Sequence, residues 1–477
     1  MGQDLKKKTT NGVMWSGIER FASQGIQFII SIVIARILLP SDFGTVALLN
    51  VFLAICQTFI DSGFGLALMR KKNCSEDDFS TVFIFSVIVS IISYVILWSI
   101  APWIADFYNI PILIEITRIV SLNVIINAIS NVPNAILSIS LDFKKKAIIA
   151  IITVIISGSL GLWLAFRGFG VWALVYQTLI ASALRAFFLF MFSRWMPIMT
   201  FSKASFNELF SFGSKMLISG IIGNIYNNLT SILIGKFFST TSLGLYGKAT
   251  TFANYPSMHI TGVILNVAYP VLAKIQDEEE RLIEAYRKML KMSCLVIFPL
   301  MIGLASVATP FVQLILGKQW LEMIPLLQVL CFAMMWDPIN GMNMNLLQVK
   351  GYSNIFLKVD IYKKIIGVIV LCVTIPFGLK AICYGLLLVA LVNIQLNTYF
   401  TYKFFGYGFK RQIKDVMPIF IHSIFIGLMV VGVTKLVDGL LLKLILGICC
   451  GIIYYVIIGF VFLTNEFEYL IKLKRSR

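Results

Sequence analysis

The stretch that decides the fold is IARILLPSDFGTVAL, residues 34–48, because IGKFFSTTSLGLYGK, residues 234–248, repeats its outline at a shift of 200 residues. In each stretch an apolar run ends at a cation, Arg36 or Lys236, and a glycine, Gly44 or Gly244, follows eight residues later. Pro40 and Gly44 are residues that break helices. The pattern therefore indicates the corner between two helices, occurring twice in the chain.

The composition is that of a membrane protein. Of the 477 residues 58% are hydrophobic and 13% are charged, whereas soluble domains average about 45 to 50% apolar and about 25% charged residues. A helix needs about 20 apolar residues to cross a bilayer. The apolar runs predict fourteen such spans, at 12–37, 43–69, 79–105, 111–139, 147–167, 170–192, 209–237, 244–273, 288–309, 323–348, 357–378, 380–404, 416–437 and 440–463. We predict an all-α membrane protein without room for a soluble catalytic domain.

The basic residues indicate the topology. The net charge is +17, but most Lys and Arg outside the spans lie in alternate loops, on the side of the amino terminus. Basic loops stay in the cytoplasm, so we expect both termini there and no nucleic-acid partner. Lys6, Lys7 and Lys8 lead into a full-length span without a small-residue cleavage site, so no cleavable signal peptide is expected. The eight cysteines lack metal-binding spacing, and neither a metal nor a cofactor is expected.

Polar residues form matching stripes in the two copies of the repeat. In the first span they recur at i, i+4, i+7 and i+11, which places them on one helix face. They are Arg20, Gln24, Gln27 and Ser31, and the positions 200 residues later are Gly220, Asn224, Asn227 and Ser231. We favour a water-filled cavity for these stripes over packing between helices.

The repeat extends over six spans. APWIADFYN, from Ala101, matches TPFVQLILG, from Thr309, and GFGVWAL, from Gly168, matches GLKAICY, from Gly378. The predicted organisation is a first lobe at 1–193, a second lobe at 194–405, and two further helices with a basic cytoplasmic tail at 406–477. Because six is even, both lobes start on the same side of the membrane. Such parallel repeats place substrate sites between the two halves.

Charged residues within the spans are candidate functional groups, because each costs about 2.5 to 3.5 kcal/mol to insert. Substrate-cavity candidates are Arg20, Lys215, Arg118 and Arg185, with Gln24, Gln27, Ser31, Asn224 and Asn227. Candidates for proton or sodium coupling are Glu19, Asp61 and Asp337. Two structural alternatives stay open: Lys215 and Arg185 can extend to the membrane surface, and Arg118 can pair with Glu115.

Three stretches carry a resemblance to a known family. They are LLPSDFGTVALLNVF at 38–52, FIDSGFGLALMRKK at 59–72 and LSISLDFKKKA at 137–147. With these motifs the whole chain resembles the Wzx-type O-antigen unit flippases of the polysaccharide-transporter family, within the multidrug/oligosaccharidyl-lipid/polysaccharide exporter superfamily. The resemblance implies two six-helix lobes around a cationic cavity, plus two extra helices.

The same resemblance implies a function. Such a protein moves an undecaprenyl-pyrophosphate-linked oligosaccharide across the bacterial inner membrane, in lipopolysaccharide or related polysaccharide synthesis. The expected partners are this lipid-linked glycan, membrane lipids and a polysaccharide polymerase complex, and a proton or sodium gradient is a candidate energy source. The protein is not expected to be an enzyme. Two alternatives stay open: a multidrug antiporter for organic cations, of the same superfamily, and a membrane-embedded polysaccharide polymerase.

Overall fold

The structure, a computed structural model, describes residues 2–61, 64–71, 74–198 and 200–462; within these ranges nothing is stated of the side chains at 2–11, 13, 16, 20, 61, 66, 70, 211–216, 219 and 458–462. The described ranges form helices joined by short connections, without β-strands. The chain divides into two compact units, Met1–Gly244 and Leu245–Arg477. The predicted lobe boundaries at 193 and 405 stay predictions, because compactness in one conformation does not decide which helices move together.

The helices alternate with connections of a few residues. Up to residue 244 they are α1 (Gly2–Ile37), α2 (Pro40–Asp61), α3 (Phe64–Arg70), α4 (Glu76–Tyr108), α5 (Leu113–Val120), α6 (Leu122–Ile139), α7 (Phe143–Phe166), α8 (Val171–Ser193), α9 (Lys203–Phe237) and the start of α10 (Thr240–Lys274). The remainder holds α11 (Glu279–Ser306), α12 (Ala308–Ile315), α13 (Met323–Met334), α14 (Asp337–Val349), α15 (Ser353–Thr374), α16 (Leu379–Phe405), α17 (Phe409–Leu436) and α18 (Leu440–Phe462).

The predicted helical membrane architecture is confirmed. Among the described residues, twelve segments are long and apolar enough to cross a membrane, with α5 and α6 counted as one segment and α13 and α14 as another. The predicted spans 209–237 and 357–378 correspond to α9 and α15, which are helical but are not among these twelve segments. In α15 four charged residues account for this. Large exposed apolar side chains, such as Ile92, Leu388 and Leu428, suit a surface that faces lipid.

Two predicted boundaries are wrong in detail. Helix α7 begins at Phe143, so Lys144 to Lys146 form its first turn rather than a loop. Asp142 caps this helix, because its side chain accepts a hydrogen bond from the backbone N–H of Lys145. The predicted span 323–348 is interrupted between Met334 and Asp337, where Pro338 starts a new helix.

The repeated corners of the opening stretch contact each other within residues 1–244. A Cβ added to Gly44 would collide with the carbonyl oxygen of Thr240, and a Cβ added to Gly244 would collide with that of Pro40. The contact is reciprocal, since these four residues correspond at the shift of 200. Both glycines are therefore required by a close backbone approach.

The φ angles at the helix ends also follow the repeat. At four pairs of helix ends, 208 to 212 residues apart, both members have a positive φ. The pairs are Asn109 and Gly317, Leu141 and Gly351, Gly168 and Gly378, and Arg194 and Gly406. Corresponding helices thus end at a residue of positive φ, although the residue types differ and, at Asn109 and Gly317, so do the ψ angles of 42° and 177°.

The connection between α8 and α9 is held on the start of α4. Trp195 Nε1 donates to Glu76 Oε2 at 2.9 Å, Thr200 Oγ1 donates to Asp77 Oδ1 at 2.9 Å, and the backbone N–H of Ser202 donates to Thr81 Oγ1 at 3.0 Å. The acids of this turn therefore serve as structural anchors for the connection.

A salt-bridge cluster supports the same turn. Lys71 Nζ lies 2.9 Å from an oxygen of Asp78 and 3.0 Å from Glu208 Oε2, which belongs to α9. The hydrogen bonds to Asp78 and then to Glu208 raise the pKa of Lys71 above its ordinary value. The lysine therefore stays charged at neutral pH.

Candidate functional site

Some predicted site residues have side chains that the structure does not describe. They are Arg20, Lys215 and Asp61. Their backbones lie in α1, α9 and α2, as predicted. Their proposed roles rest on the sequence alone.

The α1 stripe residues whose side chains are described differ in their exposure to solvent. Gln24 and Ser31 are half-buried and Gln27 is exposed. Ile29, which lies off the stripe, is 63% exposed as well. Exposure alone therefore does not separate a surface facing water from one facing lipid.

The α9 stripe contributes to helix packing. Asn224 Nδ2 donates to Thr58 Oγ1 of α2 at 2.5 Å, and a Cβ added to Gly220 would lie 2.7 Å from Cγ2 of Thr58. Asn227 is exposed. At Asn224 the structure thus shows a hydrogen bond between helices, which is packing and not the predicted water-filled cavity.

Arg118 and Asp337 each contact a side chain of another helix. The guanidinium carbon of Arg118 lies 4.1 Å from the centre of the Trp98 ring, a cation–π contact with α4. Glu115 is exposed. Asp337 Oδ2 accepts a hydrogen bond from Ser257 Oγ at 2.8 Å, at the interruption between α13 and α14.

A polar cavity lies among α1, α6, α7 and α8. Its volume is about 430 Å³, within the range of about 300 to 1,000 Å³ for small-ligand sites. The lining residues are Glu19, Ser23, Asn127, Asn134, Lys146, Ile149, Ala150, Thr153, Val154, Ala181, Ser182, Arg185 and Leu189. We refer to it as the four-helix cavity. It brings together two predicted site residues, Glu19 and Arg185, from opposite ends of the first repeat.

The four-helix cavity combines two cations with one acid. Lys146 Nζ donates to Ser138 Oγ at 2.9 Å, which orients it from the start of α7. Arg185 is exposed and Glu19 is half-buried. Together with the amide and hydroxyl groups, these side chains can bind a ligand that carries both charge and hydroxyl groups.

Sequence reasoning missed several lining residues of this cavity. Asn127 and Asn134 are seven residues apart on α6, and Lys146 and Thr153 are seven apart on α7. Each pair lies on one helix face, two turns apart. This periodicity is visible in the sequence, but Lys146 lies just outside the predicted span 147–167, and the sequence does not tell which helix faces meet.

Comparison with solved structures identifies the fold. The chain matches a structure described as lipid II flippase MurJ in an inward closed conformation, with a TM-score of 0.77, 16% identity, and coverage of 95% of this chain and 99% of that one. It also matches an inward-facing multidrug resistance MATE family transporter, with a TM-score of 0.63, 17% identity, and coverage of 82% and 98%. The fold is thus that of multi-pass helical membrane transporters.

Sequence comparison gives the family. The model for the family described as polysaccharide biosynthesis protein matches residues 33–325, and the chain belongs to that family. It is 24% identical over 433 residues to the teichuronic acid biosynthesis protein TuaB of Bacillus subtilis, with 90% of each chain covered. It is 25% identical over 443 residues to the lipopolysaccharide biosynthesis protein WzxC of Escherichia coli, with 90% and 89% covered. The resemblance that the three motifs indicated is confirmed.

Proposed function

We propose that the protein is a flippase that moves undecaprenyl-pyrophosphate-linked oligosaccharide units across the bacterial inner membrane by alternating access. The observation that carries the proposal is a fold match over 95% of the chain to a flippase for lipid II, in a chain of a polysaccharide biosynthesis family. The relatives TuaB and WzxC are named for polysaccharide biosynthesis, which supports the same class of cargo.

The physical need for such a protein is plain. An isolated charge in hydrocarbon costs tens of kcal/mol by the Born estimate, so a pyrophosphate with attached sugars does not cross a bilayer unaided. A polar, cationic path removes this barrier, while the lipid tail stays in the bilayer. Arg20 and Lys215, in the repeat-related helices α1 and α9, are our candidates for the pyrophosphate.

We propose an orientation with both termini in the cytoplasm, because most basic loops lie on that side. Reporter fusions at Lys146 and near Lys318 should then give opposite compartments. An inside-negative potential favours outward movement of an anion by about 2.3 kcal/mol per charge per 100 mV. Coupling to protons or sodium through Glu19, Asp61 or Asp337 is a second source of energy, and a polymerase complex is the proposed consumer of the product.

The multidrug antiporter is the weaker alternative. Its support is the fold match to a MATE family transporter. An organic cation would be repelled by Lys146 and Arg185 in the four-helix cavity, where Glu19 is the single acid. The described residues therefore favour an anionic, hydroxyl-rich cargo.

The test is transport in a strain that makes lipid-linked oligosaccharide but lacks its own flippase. The wild-type chain should move the lipid-linked unit to the outer leaflet and restore surface polymer. The double variant Arg20→Ala, Lys215→Ala should accumulate the unit in the inner leaflet, while Arg167→Ala, Lys380→Ala, two exposed cations elsewhere, should transport normally. Full transport by the first double variant, at equal expression, would contradict the proposed role of Arg20 and Lys215. Absence of transport by the wild-type chain would contradict the proposed flippase function.

A further inference from the structure

The four-helix cavity is built inside the first unit, apart from the polar stripes of α1 and α9. Its charged groups are Lys146 and Arg185 against Glu19. The neutral polar groups are two amides, from Asn127 and Asn134, and three hydroxyls, from Ser23, Thr153 and Ser182. With all three charged groups ionised, the cavity has one uncompensated positive charge.

Two buried atoms of the cavity wall have no hydrogen-bond partner. They are Oδ1 of Asn134 and Oγ1 of Thr153. Thr153 is 6% exposed, so its hydroxyl is held deep in the wall. Buried polar atoms are normally paired, and these two are suited to groups that a ligand supplies.

The charged groups of the cavity lie near one end of the bundle. Glu19 and Lys146 lie near the starts of the apolar segments Gly17–Ile37 and Phe143–Phe166, whereas Asn134 and Arg185 lie late in α6 and α8. Because consecutive spans run in opposite directions, these positions are near the same membrane face, the one predicted to be cytoplasmic. Thr153 lies seven residues beyond Lys146, about 10 Å deeper at 1.5 Å per residue. The cavity is thus placed where cargo would be loaded.

Complementarity restricts the ligand. A cation would meet two positive side chains. Inorganic phosphate as the dianion would bring one hydrogen for two acceptors, Glu19 and Oδ1 of Asn134, and one negative charge more than the cavity compensates. A neutral sugar would leave the positive charge uncompensated. The complementary ligand has one negative charge and several hydroxyl donors.

We infer that the four-helix cavity binds one acidic sugar residue, a hexose ring that carries a carboxylate, from the glycan unit at loading; this inference rests on the proposed function. Arg185 binds the carboxylate, since the planar guanidinium matches carboxylate geometry, and Lys146 supplies the second positive charge. Glu19 and Asn134 accept hydrogen bonds from sugar hydroxyls. Thr153 pairs with a ring substituent at the deep end.

The test is direct binding of small sugars to the purified full-length protein in lipid nanodiscs. Saturation-transfer NMR should show saturable binding of methyl glucuronoside, about tenfold tighter than that of methyl glucoside. Inorganic phosphate should fail to displace it at equal concentration. Equal affinity for the neutral glucoside, displacement by phosphate, or absence of saturable binding would each overturn the inference.

Matched variants locate the binding. Arg185→Gln should weaken glucuronoside binding about tenfold, and Arg185→Lys should retain part of it. Arg167→Gln, an exposed arginine near the other end of the bundle, should bind as the wild type does. Wild-type binding by a folded Arg185→Gln would contradict the assignment, and if that variant does not fold, Thr153→Val should show a smaller loss in its place.

The inference and the proposed function fail separately. Transport of a lipid-linked unit by the wild-type chain, without any glucuronoside binding, would overturn the acidic-sugar site and leave the flippase function standing. Specific glucuronoside binding without transport would support the site as an acidic-sugar site and overturn the flippase function.

Discussion

Polar side chains from the fourth and sixth spans of each repeat lie in different surroundings. In the first unit they line a cavity, and in the second unit they form a hydrogen-bonded network. In the first unit α6 and α8 contribute Asn127, Asn134 and Arg185 to an open space. In the second unit Asn343 of α14 and Thr401 of α16 are buried in hydrogen bonds with each other and with Gln412 of α17. The difference separates polar groups that hold the fold from polar groups that are free for a ligand.

The network of the second unit is satisfied by its own members. Asn343 and Gln412 exchange two hydrogen bonds of 2.9 Å, and Thr401 Oγ1 donates to Asn343 Oδ1 at 2.5 Å. All three residues are at most 1% exposed. Helix α17, one of the two helices added after the repeat, supplies Gln412 and so completes the network.

The two clusters use neighbouring faces of related helices. A shift of 210 residues relates Leu113–Ile139 to Met323–Val349. It places Asn343 on Pro133, which is one residue, or about 100° around the helix, from Asn134. The repeat conserves helix length and helix ends, but the polar face has moved toward the added helix.

The largest expected effect comes from breaking the network. Asn343→Leu should lower the free energy of unfolding by about 3 kcal/mol, because the buried Oε1 of Gln412 would lose its donor, and Gln412 Nε2 and Thr401 Oγ1 would each lose one of two acceptors. Chemical unfolding in detergent measures this, with Gln395→Leu, an exposed position on α16, as the control. A loss below about 1 kcal/mol would show that the polar groups of the network contribute no more to the free energy of unfolding than those of the cavity.

A second prediction tests whether satisfied polar groups are also structural in the first unit. Asp78 is 1% exposed, binds Lys71 and accepts from the backbone N–H of Ser75 at 2.9 Å. Asp78→Asn should cost about 2 kcal/mol of unfolding free energy, because it removes a buried charge partner. Asp77→Asn, at an exposed residue, should cost less than about 0.5 kcal/mol. Equal costs would mean that burial does not distinguish the two acids.

This cluster has a defined pH dependence. Because the pKa of Lys71 is raised in the folded state, its contribution to stability is fully present below the unfolded value of about 10.4 and is lost as the pH rises through the folded value. Between pH 6 and pH 9, Lys71→Met should therefore lower stability by a constant amount. A cost that disappears within that window would contradict the assignment.

Much of the fold could be predicted from the sequence, since hydropathy, breakers and repeat spacing are local properties. The corner at Pro40 and Gly44 was predicted, but its contact with the second corner was not, because helix packing is not encoded in the spacing. Asn343 and Gln412 are 69 residues apart, so no local pattern joins them. Of the candidate site, Glu19 and Arg185 were found by their charge. Asn127, Asn134 and Thr153 were missed because neutral polar residues in spans are common in packing.

A fourth prediction concerns the turns that the repeat conserves. Leu141 has φ 57°, whereas Gly351 takes the corresponding place with φ 75°. A left-handed conformation costs an ordinary residue about 1 to 2 kcal/mol, and glycine loses about 0.5 to 1 kcal/mol more in entropy on folding. Leu141→Gly should therefore stabilise the protein by about 0.5 to 1 kcal/mol, as measured by chemical unfolding, and Gly351→Leu should destabilise it by a similar amount. A destabilised Leu141→Gly would show that the half-exposed leucine side chain outweighs the strain.

The smallest expected effect is the counterpart of Asn343→Leu in the four-helix cavity. Thr153→Val keeps the shape of the side chain and removes a hydroxyl that has no partner. Replacing such a group by an apolar one of the same shape is nearly neutral or stabilising, so the free energy of unfolding should change by less than about 0.5 kcal/mol, toward greater stability. Glucuronoside binding should nevertheless weaken, which separates a ligand-binding hydroxyl from a structural one. A destabilisation above about 1 kcal/mol would show that the hydroxyl stabilises the fold. Thr153 would then be a structural residue, like those of the network, and not a residue held for a ligand.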